Sequence, residues 1–323
     1  QLGGIILGNS NLQGRAANLI LNEVTGANTS QLKGYTEVAG QGAHVVVANP
    51  HGITCDGCGF INTPHATLTT GKPIVSSGQL QAYDVDGGAI SVEGAGLNAA
   101  NVSQFDLITR SAQINSDLYA QRLNIIAGRN QVNANSLNTT AKADDGSTQP
   151  QLAIDSSALG GMYAGAIRLV GTEAGVGVNL AGDMAASAGD IQIDANGYLS
   201  MARSSATADI QLNARSVALS GDSYAGGKAQ LNATADIYIA EGQRLAAVGD
   251  VQITATQVVN RGQLESGRDE GGGLNPGSTL RIDAEELLNH GQITAHGALA
   301  VAAQTLDNQA GILVGSQAVD LHV

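Results

Sequence analysis

The chain has 323 residues, a formal net charge of −13 and 13 % charged residues, which excludes nucleic acid and anionic lipid surfaces as partners on electrostatic grounds. No apolar run approaches the roughly 20 residues of a membrane helix, so membrane insertion is excluded too. With no Trp, 3 % aromatic residues and 43 Gly, the core is thin, regular and built from Ala, Val, Ile and Leu, and that aliphatic content excludes a disordered chain.

Gln1-Leu2-Gly3-Gly4 is not a translation start and no signal peptide is visible, so the chain reads as a trimmed fragment. Strand-like runs begin at Asn18-Leu19-Ile20-Leu21. Ala43-His44-Val45-Val46-Val47-Ala48 and Ala66-Thr67-Leu68-Thr69-Thr70 are buried strands. Between them, Asn49-Pro50-His51-Gly52-Ile53-Thr54-Cys55-Asp56-Gly57-Cys58-Gly59-Phe60-Ile61-Asn62-Thr63 reads as a polar, glycine-rich turn. Further strands follow at Ala89-Ile90-Ser91-Val92, Phe105-Asp106-Leu107-Ile108 and Leu123-Asn124-Ile125-Ile126. Residues 136–151 are polar, with Ala143-Asp144-Asp145-Gly146-Ser147 at their centre. They read as a surface loop leaving the fold, and as its least ordered part.

The second half repeats a short apolar–polar–apolar signature. It recurs at Asp190-Ile191-Gln192-Ile193, Asp209-Ile210-Gln211-Leu212, Lys228-Ala229-Gln230-Leu231, Asp250-Val251-Gln252-Ile253, Leu280-Arg281-Ile282, Leu299-Ala300-Val301 and Val319-Asp320-Leu321. Successive copies start roughly 19–22 residues apart, apart from one gap of 29 that holds Gly267-Arg268-Asp269-Glu270-Gly271-Gly272-Gly273, an inserted loop. A second register agrees: Asn260-Arg261-Gly262-Gln263-Leu264, Asn289-His290-Gly291-Gln292-Ile293 and Asn308-Gln309-Ala310-Gly311-Ile312. A period near 20 with two or three short strands per repeat describes an all-β solenoid whose rungs stack into one narrow core. About 15 rungs at ~4.8 Å each give a rod on the order of 70 Å long. The spaced leucines of leucine-rich repeats and the glycine–aspartate nonapeptide of calcium-binding solenoids are both absent. Gly and β-branched residues interrupt every helical window.

Cys55 and Cys58 are the two cysteines, spaced C-x-x-C. Three readings stay open on the residues alone: a local disulfide or buried thiol pair, two free structural cysteines, or metal or redox chemistry. No His pair completes a zinc site and no helix follows for a thioredoxin-like unit, so neither metal nor cofactor is expected. Asp190, Asp209, Asp236 and Asp250 each precede an apolar strand, where Asp is a routine turn residue. The six His are scattered, with His290 and His296 on different edges of a rung, and no nucleophile has a recognisable setting.

Two motifs carry a family resemblance. Asn9-Ser10-Asn11-Leu12 and Asn49-Pro50-His51-Gly52-Ile53 resemble the two asparagine motifs of two-partner secretion domains, written NPNL and NPNGI, with Ser10 and His51 as departures. Leu19-Ile20-Leu21-Asn22-Glu23-Val24, Gly34-Tyr35-Thr36-Glu37-Val38-Ala39-Gly40, Leu159-Gly160-Gly161-Met162-Tyr163-Ala164-Gly165 and Gly171-Thr172-Glu173-Ala174-Gly175-Val176-Gly177-Val178 resemble the family as well. The likeness to filamentous haemagglutinins and contact-dependent growth inhibition exoproteins covers roughly the first 180 residues, and the later Asn-x-Gly-x-Ile rungs resemble their shaft repeats. It implies a secretion domain, N-terminally truncated, over residues 1–182 and β-helical shaft repeats over 183–323.

The resemblance further implies a right-handed parallel β-helix, exported through the periplasm of a Gram-negative bacterium to its surface. A cognate outer-membrane TpsB β-barrel recognises it through periplasmic POTRA domains, and it folds outside the cell as a monomer. Asn9, Ser10, Asn11, Leu12, Asn49, Pro50, His51, Gly52 and Ile53 are then the transporter-recognition motifs, in the unfolded chain if the asparagines serve as turn formers once folded. In the oxidising periplasm Cys55 and Cys58 are expected to form a disulfide across a tight turn after Ile53. A target-cell receptor would be met by the missing downstream chain, which would make the parent an adhesin or a toxin carrier. The rival is a β-helical polysaccharide lyase or hydrolase, which needs carboxylates clustered on neighbouring rungs and aromatic platforms for sugar.

Overall fold

Short strands that alternate buried and open positions cannot bury an apolar edge alone, so each needs a neighbour above and below. The computed structural model describes residues 10–143 and 145–323. Among them the chain is all-β apart from one 3-10 turn, Ser10–Leu12, and it coils into a parallel solenoid of about 14 turns. That is the all-β solenoid that the period implies, with the parallel strands that the family resemblance adds.

One column shows how the core is built. Ile20, Val45, Ala66, Phe105, Leu123, Ile167, Ile191, Ile210, Ala229, Val251, Leu280, Leu299 and Val319 pair in succession along the axis. The last seven are the first apolar residues of the seven repeated signatures. Ile191–Ala195 and Ile210–Ala214 bury their first, third and fifth residues and leave the others more open, as strand geometry requires. Between strands Val251–Asn260 and Thr279–Asn289 the long gap loops outward, yet the register runs unbroken from Val251 opposite Leu280 to Asn260 opposite Asn289. At the corner that follows, Asn260 Nδ2 donates to Asn289 Oδ1 (2.8 Å) and Asn289 Nδ2 to Asn308 Oδ1 (2.7 Å). This amide ladder fixes the second register.

A second, antiparallel sheet lies outside the coil, made of Lys72–Ser76, Gln79–Val85, Asn130–Asn133 and Thr139–Ala141. Ser77 and Gly78 join its first two strands with φ of 52° and 73°, the left-handed pair that a two-residue hairpin needs. Leu80, Tyr83, Val85, Val132 and Leu137 bury a separate apolar layer against Val46, Ala48, Ile108, Ile126 and Val170 of the coil.

The first part of 136–151 does not form the plain surface loop expected of it, while the described residues from 142 to 151 carry no strand and are mostly exposed. Leu137 is buried and Thr139–Ala141 is paired to Asn130–Asn133. The error has a physical cause: strands this short are stabilised by the coil face beneath them, not by their own pattern. Arg110 clamps Glu173 with both partners largely buried (2.9 Å), and Lys142 reaches Asp84 (2.7 Å). The first pair lies within the coil and the second within the outer sheet, where it ties the end of Thr139–Ala141 to Gln79–Val85.

Candidate recognition corner

Strand His44–Ala48 delivers Asn49 into a corner of the coil. Pro50 fixes its own φ and biases Asn49 toward extended backbone. Asn49 Oδ1 accepts the His51 N–H (2.9 Å) and the Asn49 carbonyl accepts the Gly52 N–H (3.1 Å), which closes the turn. Its Nδ2 donates backward to the Asn28 carbonyl (2.9 Å) and the Ser30 hydroxyl (2.8 Å), while its own N–H donates forward to the Thr69 carbonyl (2.9 Å). Asn49 is wholly buried at 0 % exposure and bridges three successive rungs.

Two glycines make room for that corner. Gly52 has a φ of +114°, which other residues resist. A Cβ on Gly88 would come within 2.6 Å of the Pro50 carbonyl oxygen. Ile53 turns into the core opposite Ser30 and Ile90, and the His51 side chain stands in solvent. The folded corner thus shows an outside visitor His51 and part of Pro50, but not Asn49.

Asn9 lies outside the described residues. Ser10–Leu12 form the 3-10 turn ahead of the first strand, Leu19–Glu23, and Leu12 is exposed.

Cys55 and Cys58 are buried and joined by a disulfide with a Cα–Cα distance of 5.4 Å. They do not sit in a tight turn. Strand Ile53–Ile61 carries both, and its pairing with Ala89–Ala99 slips between Asp56 and Cys58. Gly57 lies at the slip with a φ of +70°. The polar stretch after Ile53 is therefore a bulged strand, because its polar residues face outward while Cys55, Cys58 and Phe60 face the core.

A polar network beside the corner escaped the sequence reading. His44 stacks on His65 with ring centroids 3.6 Å apart. His65 Nε2 meets Asp106 Oδ2 at 2.6 Å, His44 Nε2 meets the Thr67 hydroxyl at 2.9 Å, and Asn124 Nδ2 donates to Asp106 Oδ1 at 2.8 Å. Asp106 is buried at 1 % exposure. Burial, and then the neighbouring His65 ring, push the His44 imidazole down to about 4 against the pull of Asp106. The available signal was a polar residue at a matching offset inside apolar runs: Thr67, Asp106 and Asn124 occupy one column.

The acidic candidates serve the stacking. Asp190 Oδ1 accepts the N–H of Asp209 (3.0 Å), Asp209 Oδ1 that of Lys228 (2.7 Å), and Asp250 Oδ1 that of Thr279 (2.9 Å). Each carboxylate is thus tied to the backbone of the next rung, and Asp236 is exposed at a strand start. Among the described residues no group of three or more His, Cys, Asp or Glu is placed to hold a metal ion. Among the described residues no helix is long and apolar enough to cross a membrane.

Residues 4–201 match the TPS secretion domain family. The chain belongs to that family. A TPS domain, the two-partner secretion module, is a transport-recognition unit rather than a catalytic one. Exoproteins that carry it pass through the periplasm to the surface of Gram-negative bacteria. The chain is similar to the tRNA nuclease CdiA of Yersinia mollaretii, 44 % identical over 94 % of this chain and 10 % of that protein. It is also similar to the toxin CdiA of Yersinia pestis, 53 % identical over 62 % of this chain and 6 % of that protein. It therefore spans about a tenth of the length of the curated relatives it matches. The chain is also similar to the crystal structure of a filamentous hemagglutinin secretion domain, at 22 % identity and a TM-score of 0.49 over 95 % of this chain and 76 % of that one.

Proposed function

We propose that this TPS domain is the export signal of a long surface exoprotein, read by a cognate outer-membrane TpsB β-barrel through its periplasmic POTRA domains. The family match over residues 4–201 carries this reading. Residues 1–182 form the recognised secretion module and 183–323 the first shaft rungs, monomeric, with no nucleic-acid partner and no cofactor. Asn9, Ser10, Asn11, Leu12 and the stretch Asn49, Pro50, His51, Gly52, Ile53 are the recognition motifs. Since folding hides the Asn49 amide, the transporter reads that side chain before the corner closes. The disulfide between Cys55 and Cys58 closes a loop small enough to pass a narrow barrel. Rung-by-rung stacking outside, each rung burying fresh apolar surface on the last, then favours outward movement.

The relatives' names point to contact-dependent growth inhibition for the parent. Delivery of a nuclease toxin would then lie in the downstream chain, as would any contact with a target-cell receptor; adhesion is the other role of such exoproteins.

The test dilutes denatured protein into buffer with the partner's purified periplasmic domains. Binding that slows folding, and that is lost once the β-helix has formed, is the expected result. Periplasmic domains that bind the folded chain alone, or neither form, would sink recognition of the unfolded motif.

A further inference from the structure

The chain has seven tyrosines, and four of them stand in one outward column. Tyr35 is followed rung by rung by Gly59, Asn98, Tyr119, Tyr163, Ala185, Ser205 and Tyr224. The rings thus come in two pairs, each three rungs apart, with short side chains between them. Three rungs span ~14 Å. In the first pair the floor is taken, because the Tyr35 ring lies where a Cβ on Gly59 would be 2.5 Å away. In the second pair the floor of Ala185 and Ser205 is open, and a groove of about 350 Å³ runs from Tyr163 to Tyr224.

Both end walls are held in place. Tyr163 stacks on Tyr119 with centroids 5.3 Å apart and planes 21° apart. The Tyr224 hydroxyl accepts the N–H of Glu270 at 3.2 Å, so the inserted loop braces it. Beside the floor, Arg203 pairs with Asp183 through Nε at 3.2 Å and a second, shorter contact. Asp222 Oδ1 accepts the Arg244 N–H at 2.8 Å.

We propose that the groove between Tyr163 and Tyr224 binds a neutral oligosaccharide that runs across the solenoid axis, with its sugar faces toward the two end-wall rings. Each alternative fails on an observation. Arg203, which lines the groove, is spent on Asp183, and Arg244 near Tyr224 pairs with Glu265 (3.6 Å), while Asp222 and Glu270 add negative charge, so an anionic glycan is repelled. The backbone of the floor is fully used in rung-to-rung pairing, so a peptide strand finds no free edge to add to. The charged side chains along the groove disfavour a purely apolar ligand. A chain of sugar rings fits all three. Its C–H faces suit the open faces of the two half-buried tyrosine rings, and its hydroxyls suit the planar donors and acceptors of Arg203 and Asp183. Aromatic residues are scarce in this sequence, but stacking gathers them where they form platforms.

The experiment titrates the full chain with cellotetraose and with chitotetraose by calorimetry. At least one should bind saturably, with affinity unchanged by added salt. Tyr163→Ala and Tyr224→Ala should each weaken binding at least about tenfold. Ser205→Arg, which fills the floor and leaves both rings, should abolish it. Tyr198→Ala, an exposed ring outside the column, should bind as the parent does. These side chains face outward, and each variant is checked for an unchanged strand spectrum and melting temperature; where one ring variant fails to fold, the other and Ser205→Arg decide. No saturable binding of either sugar up to its solubility limit overturns the proposal. So does equal weakening by Tyr198→Ala, or tighter, salt-sensitive binding of an oligolysine peptide that Asp222→Asn removes.

Discussion

Replacing Asn49 by Ala separates what this residue does in the fold from what it does in export. The change removes three side-chain hydrogen bonds: two donated to Asn28 and Ser30, and one accepted from His51. At about 1 kcal/mol net for each the loss is about 3 kcal/mol. Asn28 and the His51 turn are exposed and Ser30 is half-buried, so water replaces part of what is lost and about 2–3 kcal/mol is the better figure. In a domain this size the refolded protein should melt roughly 3–5 °C lower. His51→Ala is the companion variant. It keeps the backbone turn and touches an exposed side chain, so stability should stay within about 0.5 kcal/mol of the parent. Two measurements are made on each: melting of the refolded domain by circular dichroism, and secreted yield of the full-length precursor with its barrel partner. Asn49→Ala should fail in both, whereas His51→Ala should lower secretion alone. An Asn49→Ala protein that melts like the parent would refute the buried-strut account. Undiminished secretion of both variants would refute recognition through this motif.

Other outcomes follow from the same geometry. Because His44 is held near 4 when folded and titrates near the ordinary imidazole value of 6.5 when unfolded, the unfolded chain binds more protons between those values. Stability should therefore fall as pH drops from about 6.5 toward 4, and His44→Gln should flatten that slope in melts across the range; an unchanged slope would assign the effect elsewhere. Asn289→Ala leaves Asn260 and Asn308 without their ladder partner and should cost about 2–3 kcal/mol, read as faster hydrogen exchange confined to the C-terminal rungs; protection equal to the parent's would count against the ladder. Protein unfolded without reductant should show no free thiols, and the double change Cys55→Ser with Cys58→Ser should cost about 2 kcal/mol for so short a loop, measured by denaturant midpoint. Small-angle scattering should give a rod, and a compact radius would contradict continuous stacking.

The period near 20 was written in the sequence because each rung repeats the same local demand. An aliphatic residue must point inward at the same offset, as at Ile191, Ile210 and Val251, and a small or amide residue must turn the corner, as at Asn260 and Asn289. Such demands are local, so composition and spacing alone determined an all-β solenoid and the seven strands of its clearest column. They also marked Asn49-Pro50-His51-Gly52-Ile53 as a turn, since Pro and Gly set backbone angles wherever they occur. What the tertiary structure decided depends on residues far apart in the chain. The outer antiparallel sheet joins Lys72–Ser76 to Thr139–Ala141 through two other strands and rests on a coil face contributed by Val46, Ile108 and Ile126; no segment of it is apolar enough to announce itself. The bulge at Gly57 turned a presumed loop into a strand, because only the pairing partners of Cys55 and Cys58 show that both face the core. His44, His65, Thr67, Asp106 and Asn124 were five isolated polar residues until stacking made them neighbours. The tyrosine column arose in the same way. Rung stacking converts positions tens of residues apart into adjacent ones a few ångströms apart, and the loops inserted between strands make that offset irregular, so no fixed spacing in the sequence reveals it.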